Sequence, residues 1–366
     1  MKISTIDVYK IDMPMRGFFR NARHNHNVQE GVVVHVKTDN GLDGIGDIEP
    51  SEGYTKLNRN EIAETVEKKL SPVLIGEDPR NFRRISYILD STIDGFWEGK
   101  SAITLAMSDL HAKSLGVSLG NLLGGSVAEN VFFNAWIGVL SNEDASVEAK
   151  KFKENGWIAC KVKLNGEVES DIERVLSVRQ GGGKDFEIRV DANESYKNIQ
   201  DAKDFIKEVS SAEIRLFEQP FNRKNLALLA ELRGSVDVPI MADECITDYR
   251  SLLEVIKHEA ADIVKLKILK QGSVFKVREM ISMLEEVGME IVIGHGFGLT
   301  PMTIAEIYLA STSKNVLSAI ESVGPYKMID DIVNLPLEID SGKIAVPNSP
   351  GLGVSIDMDK IEKFRV

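Results

Sequence analysis

From about residue 130 onward the chain repeats one pattern. A short apolar run is followed by a polar turn, an amphipathic stretch and another turn. The apolar runs fall at 131–136, 159–163, 188–191, 215–218, 239–243, 262–267, 291–295 and 317–321. Between them lie stretches with helical periodicity, such as 198–209 and 274–287. Eight runs alternating with helices predict eight parallel strands and an α/β fold of the TIM-barrel type.

The first 125 residues do not follow that period. Residues 3–11 alternate as a strand, 31–38 form a second, and Asp39-Asn40-Gly41 signals a tight turn into a third at 42–48. Helical stretches follow at about 60–72 and 100–115. This predicts an α+β domain over 1–125, a barrel over 126–325, and a turn-rich tail over 326–366 that packs back on the first domain. Two segments of that domain, 16–27 and 49–54, read as lids over the barrel mouth. The first mixes Arg16, Arg20, Arg23, His24 and His26 with Phe18 and Phe19, a composition suited to an anionic or aromatic ligand.

The residues that end the barrel runs carry the chemistry. In order they are an apolar end, Lys161 with Lys163, Asp191, Glu218, Asp243, Lys267, His295 and Glu321. Strand ends converge at the C-terminal mouth of a barrel, where active sites sit. Converging carboxylates at Asp191, Glu218 and Asp243 repel one another and call for a cation. All-oxygen ligation suits a hard ion, Mg²⁺. Lys161 and Lys163 share one strand face, and Lys267 stands across the mouth from them. Burial and nearby cations lower a lysine's pKa and make it a base near neutral pH. The arrangement suits removal of the α-proton from a carboxylate substrate, with the metal stabilising the enediolate. Lys265, two residues before Lys267, reads as an ion-pair partner deeper in the barrel.

Composition narrows the class. A net charge of −12 argues against a nucleic-acid partner. No apolar run reaches the length of a membrane span. The N-terminus lacks the apolar stretch of a signal peptide, so a cytoplasmic enzyme is expected. Cys160 and Cys245, with no CxxC spacing, read as small buried hydrophobes. The expected partner is a small carboxylate substrate, and a homo-oligomer is expected.

The motifs together resemble the enolase superfamily, muconate lactonizing enzyme subgroup, over nearly the whole length. They are Ala106-Met107-Ser108-Asp109-Leu110-His111-Ala112-Lys113 with Leu122-Leu123-Gly124-Gly125, Lys161-Val162-Lys163, Asp191-Ala192-Asn193, Glu218-Gln219-Pro220, Ala242-Asp243-Glu244, Lys267 ahead of Gly272, and Pro350-Gly351-Leu352-Gly353-Val354. The resemblance implies a modified (β/α)7β barrel under an N-terminal capping domain completed by the C-terminal tail. It implies Mg²⁺ on Asp191, Glu218 and Asp243, Lys163 and Lys267 as acid/base residues, and Lys161 at the substrate carboxylate. Asn193 and Glu244 follow as substrate-binding or supporting residues, with Glu244 paired to Lys267; His295 and Glu321 are candidates for the same roles by their strand-end positions, outside what the resemblance implies.

Departures from the family bear on the reaction. The Asp-x-Asp motif of dipeptide epimerases is replaced by Ala319-Ile320-Glu321-Ser322-Val323. His295 is an extra polar group, either structural or catalytic, and Glu321 either touches substrate or caps the rim. Racemase, epimerase and cycloisomerase chemistry all remain open, as does dehydration of a hydroxy acid. A Schiff-base aldolase leaves the carboxylates without a task, and a metal hydrolase lacks early histidine ligands. Phosphate binding rests on one glycine-rich loop after His295. A degenerate, non-catalytic barrel does not account for an intact set of lysines and carboxylates.

Overall fold

The computed structural model describes residues 1–20, 25–50, 55 and 57–366, with side chains 19, 20, 25 and 26 left aside. The tips of both lid segments, 21–24 and 51–54, therefore lie outside the described residues. The first two strands, β1 (Ile3–Arg20) and β2 (Asn25–Thr38), form a long antiparallel hairpin. Both run further than the alternating pattern suggests, because pairing continues beyond the apolar residues into the polar segment. The turn at Asp39-Asn40-Gly41 leads into β3 (Asp43–Ile48), which pairs antiparallel with β2.

Helix Trp97–Leu115 covers this sheet and is buried nearly all round. It lies unusually close to β3. A Cβ at Gly44 would stand 2.1 Å from the Ala106 carbonyl oxygen, and one at Gly46 2.1 Å from that of Ala102. The same helix reaches the barrel, where the Thr104 hydroxyl donates to the Gly272 carbonyl at 3.0 Å. A helix over Phe82–Thr92 also forms that the sequence reading did not include.

The barrel strands are β4 (Asn130–Phe133), β5 (Ala135–Ile137), β6 (Ala159–Lys163), β7 (Glu187–Asp191), β8 (Leu216–Glu218), β9 (Ile240–Ala242), β10 (Ile263–Leu266), β11 (Glu290–Ile293) and β12 (Ala319–Ile320). From β5 to β11 they form one parallel sheet in sequence order. Backbone bonds from Leu317 to Ile291 and from Glu321 to Ile293, both 2.8 Å, join the β12 segment to β11. β12 pairs with β4, and the Asn134 amide bonds Ile320 at 2.8 Å, closing the ring. The single first strand expected at 131–136 is thus two. It breaks at Asn134, where the chain passes from pairing with β12 to pairing with β6.

The tail touches both parts. Its strand β13 (Lys343–Ala345) pairs with β4, while Met328 and Arg365 bridge to Met15 and Ile11 of β1. Asp47, at the end of β3, accepts from the amides of Leu299 and Met302 at 2.8 Å each. It therefore caps the start of barrel helix Thr300–Ser311 from the opposite domain. Among the described residues no helix is long and apolar enough to cross a membrane.

The β3 contact should tolerate no side chain. Gly46→Ala drives a methyl into helix backbone, and overpacking of this kind costs about 1–3 kcal/mol. Thermal unfolding should show a lowered Tm. An unchanged Tm would mean that the strand moves away from the helix at no cost.

Candidate active site

The barrel interior is layered. At its lower end Leu216, Met241, Ile263 and Val292 form a small apolar cluster. Above them the filling becomes ionic. Lys161 Nζ bonds Glu218 Oε2 at 3.2 Å and Glu321. Lys265 Nζ bonds Glu218 Oε1 at 3.2 Å and the same Glu321 oxygen. Arg189 approaches Glu321 at 3.5 Å and takes Glu187 at 2.7 Å. Glu321 thus lies within the barrel as the counter-ion of Lys161 and Lys265.

At the mouth, strand register sets Lys163, Asp191 and Glu218 side by side on β6, β7 and β8. Lys163 Nζ lies 2.5 Å from Asp191 Oδ2 and 2.9 Å from Asn193 Oδ1. Across the barrel, Lys267 Nζ lies 2.6 Å from Asp243 Oδ2. Lys270 holds the other Asp243 oxygen at 2.6 Å. Glu244 accepts from Asn193 at 3.1 Å and feels the charge of Lys267. The Trp136 ring covers the lysine pair, 4.5 Å from Lys161 Nζ and 4.9 Å from Lys163 Nζ, a cation–π arrangement. Just past the strand ends, Asn193 and Gln219 hold positive φ, 44° and 35°, which non-glycine residues adopt at a cost. Those turns aim the Asn193 amide at Asp191 Oδ1 at 2.9 Å, and the Gln219 side chain at the Asp243 amide at 3.0 Å.

Electrostatics sorts the lysines. Burial would depress Lys161, but Glu218, Glu321 and Asp191 outweigh it and hold it well above the ordinary range. Burial prevails at Lys163, which is lowered despite Asp191. It also prevails at Lys267, which drops to about 8 despite Asp243 and with Lys265 and Lys270 adding to the fall. Glu218 is pushed up to about 8 by burial and by Asp191. Asp243 falls well below its usual range because Lys267 and Lys270 overcome burial.

Among the described residues no three acidic, histidine or cysteine side chains already surround one point. Each carboxylate leans on a lysine instead. The donor set nevertheless fits a hard divalent cation. It offers three fully buried carboxylates at adjacent strand ends, oxygen ligands only, and a Glu218 whose pKa is raised first by burial and then by the neighbouring Asp191.

His295, just beyond β11, bonds Glu306 through Nδ1 and faces Glu49 Oε1 at 4.0 Å through Nε2. Burial would lower it, but Glu306 and Glu49 raise it to about 9. Lys270, Trp136 and Glu306 were given no role by the sequence reading, and Glu49 was read only as part of a lid segment. Lys270 follows Lys267 by three residues, on the short helix Ile268–Gln271 that Lys267 leads into. Glu306 is the lone acid in an otherwise uncharged, buried helix. Both were visible signals. Cys160 and Cys245 are free, the first fully buried and the second partly so.

A parallel barrel with a lysine pair facing a lysine across three carboxylates, beneath an α+β cap, defines a class of enzyme. Residues 4–124 match the mandelate racemase / muconate lactonizing enzyme N-terminal domain, and residues 144–360 match the enolase C-terminal domain-like family. The chain belongs to the enolase superfamily, in its muconate lactonizing enzyme subgroup, and is an isomerase of that superfamily. It is 29% identical to an N-succinyl-L-Arg/Lys racemase of Bacillus cereus, covering 100% of this chain and 98% of the relative. The crystal structure of that racemase superposes with a TM-score of 0.95 at 28% identity, covering 100% of this chain and 98% of the other. A chloromuconate cycloisomerase of Pseudomonas putida is 28% identical over 100% of this chain and 99% of its own. A dipeptide epimerase of Enterococcus faecalis, solved with Mg and a dipeptide, gives a TM-score of 0.92 at 26% identity, covering 97% and 100%.

Two outcomes are expected. The first concerns pH. A histidine raised to about 9 in the fold stabilises it fully below the unfolded value, and that contribution is lost as pH rises from about 6.5 through about 9. The stability difference between the native chain and His295→Gln should therefore shrink across that window, by up to about 1.4 kcal/mol per pH unit. A difference constant from pH 6 to 9.5 would show that His295 titrates normally. The second concerns the metal. Asp191→Asn should weaken Mg²⁺ binding in calorimetric titration at least tenfold, and unaltered affinity would remove Asp191 from the ligand set.

Proposed function

We propose that the protein is a Mg²⁺-dependent racemase or epimerase of an N-acylated α-amino acid, working by 1,1-proton transfer between two lysines. The observation that carries the reading is the pair Lys163 and Lys267. They come from opposing strands, both are buried, both are pushed below the ordinary lysine range, and they flank the carboxylate triad. The full-length likeness to an N-succinyl-L-Arg/Lys racemase supports the substrate class.

Asp191, Glu218 and Asp243 would hold the metal. When bound there, Mg²⁺ supplies the positive charge that makes the α-proton of a carboxylate acidic enough to remove. The chain's own residues do the rest. The Lys161 ammonium, kept charged by Glu218 and Glu321, donates to a substrate carboxylate oxygen as negative charge grows there. One neutral lysine takes the α-proton from its face. The opposite lysine, as the ammonium, delivers a proton to the other face and inverts the centre. Asn193 positions Lys163, and Glu244 in turn holds Asn193. Trp136 shields the lysine pair from water, which strengthens each of these interactions.

Cycloisomerisation is the second reading, favoured by the likeness to chloromuconate cycloisomerases. The two separate on proton exchange. With N-acyl amino acids in D₂O, racemisation predicts α-deuteration of both enantiomers. Lys163→Ala should abolish exchange of one enantiomer and Lys267→Ala that of the other, each by about 10²- to 10⁴-fold. If both variants exchange both enantiomers at the native rate, the two-lysine mechanism is wrong. A cycloisomerase would instead leave N-acyl amino acids unexchanged and convert muconate-type diacids.

A further inference from the structure

Each carboxylate of the triad has one oxygen tied to a group outside the proposed proton transfer. Asp191 Oδ1 accepts the backbone amide of Asn193 at 2.9 Å. Glu218 Oε1 takes the Lys265 ammonium at 3.2 Å, deep in the barrel, where Glu321 also holds that lysine. Asp243 Oδ1 takes Lys270 at 2.6 Å. The other oxygens of the two aspartates face the lysines of the proposed reaction. Asp191 Oδ2 meets Lys163 at 2.5 Å, and Asp243 Oδ2 meets Lys267 at 2.6 Å.

The tie at Asp243 is a clamp. Besides Oδ1, Lys270 Nζ bonds the Asp243 main-chain oxygen at 2.6 Å and the Lys265 carbonyl at 3.2 Å. Those acceptors match the donors of an ammonium group one for one. The residue is only 5% exposed, so no water replaces a lost partner. Its short helix, Ile268–Gln271, is pinned as well. The Gln271 side chain accepts the Lys267 amide at 2.8 Å and donates to the Ile246 carbonyl at 3.1 Å. Gly272, at the end of that helix, is held by Thr104. Letting go of Oδ1 would leave a buried charge short of its counter-ion, a costly state. An incoming cation therefore meets an Asp243 with one oxygen to give, the one that Lys267 touches.

Such a clamp discriminates between ions. Mg²⁺ demands a near-ideal octahedron of oxygens at about 2.0–2.1 Å, whereas Ca²⁺ is larger, takes about six to eight oxygens and accepts both oxygens of one carboxylate. The two oxygens of a carboxylate lie too close together to fill neighbouring corners of the Mg²⁺ octahedron. The Lys270 charge opposes any divalent ion. Its hold on Oδ1 in addition removes a ligand that Ca²⁺ could use and Mg²⁺ would not. We infer that Lys270 is a positioning residue that sets the choice of metal, by keeping Asp243 a one-oxygen ligand and so favouring Mg²⁺ over Ca²⁺. This rests on the reading above that Asp191, Glu218 and Asp243 hold the metal.

The test is calorimetric titration of Mg²⁺ and of Ca²⁺ into the full chain, discounting any binding that survives Asp191→Asn. The native protein should bind Mg²⁺ more tightly than Ca²⁺. Lys270→Met, which keeps the length of the side chain but loses its charge and donors, should shift the ratio of the two affinities towards Ca²⁺ by about tenfold or more. Loss of charge alone would tighten both ions equally and leave the ratio where it was, and that result overturns the assignment. The two readings fail separately. A native protein that holds neither ion removes the metal reading and the role of Lys270 with it. A native protein that holds Mg²⁺, with a ratio that Lys270→Met does not move, removes the role of Lys270 alone. Should Lys270→Met fail to fold, a crystal structure of the native protein grown with Mg²⁺ decides. Lys270 Nζ should remain on Asp243 Oδ1, with Oδ2 on the ion. Oδ1 at a bonding distance of about 2.1 Å from the ion, or Lys270 released from it, would overturn the assignment.

Discussion

Everything at the barrel mouth depends on balancing charges that water cannot reach. Lys161, Lys163, Lys265, Lys267 and Lys270 are buried with Asp191, Glu218, Asp243, Glu244 and Glu321, while Arg189 is met from the barrel's lower end by Glu187. Five ammonium groups therefore face five carboxylates. An unpaired charge in such a place is costly, so neither set could be buried without the other. The same balance constrains the proposed reaction. A divalent cation and a monoanionic substrate together add one positive charge. Loss of one proton from a lysine cancels it. A site so loaded would be neutral with one lysine as a free amine, the state a general base requires.

Which lysine gives up its proton follows from its company. Lys161 touches three carboxylates, Glu218, Glu321 and Asp191, and keeps its charge. Lys163 sits on Asp191 and Asn193 beside the Lys161 charge, and Lys267 sits on Asp243 with Lys265 and Lys270 near by. In the proposed mechanism Glu321 and Lys265, deep in the barrel, would thereby separate the residue that donates to an oxyanion from those that move protons. Glu321 does this without lying at the rim, where strand position alone would put it.

The sequence was legible where one residue's neighbours along the chain fix its place. The period of apolar runs located seven barrel strands and their terminal residues, because a parallel strand ends where its side chains must face the mouth. It blurred where pairing partners decide. The first strand splits at Asn134 because β12 and β6 claim its two halves. The hairpin of β1 and β2 outruns its apolar pattern because backbone pairing does not need apolar side chains. Lys270 and Glu306 went unassigned for a related reason. Both stand out along the chain, but their roles come from contacts across 27 and 11 residues, to Asp243 and His295, and only the fold supplies those partners.

The cap is not a loose lid on this barrel. Gly44 and Gly46 let helix Trp97–Leu115 lie directly on β3, and Asp47 then fastens the end of that strand to the helix following β11. The other side of helix Trp97–Leu115 meets Gly272, which closes the short helix carrying Lys270 immediately after Lys267. One rigid cap element is thus tied to the segments behind both His295 and Lys267. Glu49 lies at the end of that element, two residues past its fastening point. Its backbone is thus anchored on both domains. A carboxylate stays buried only on backbone anchored in this way, because the same charge on an untethered segment would turn towards water.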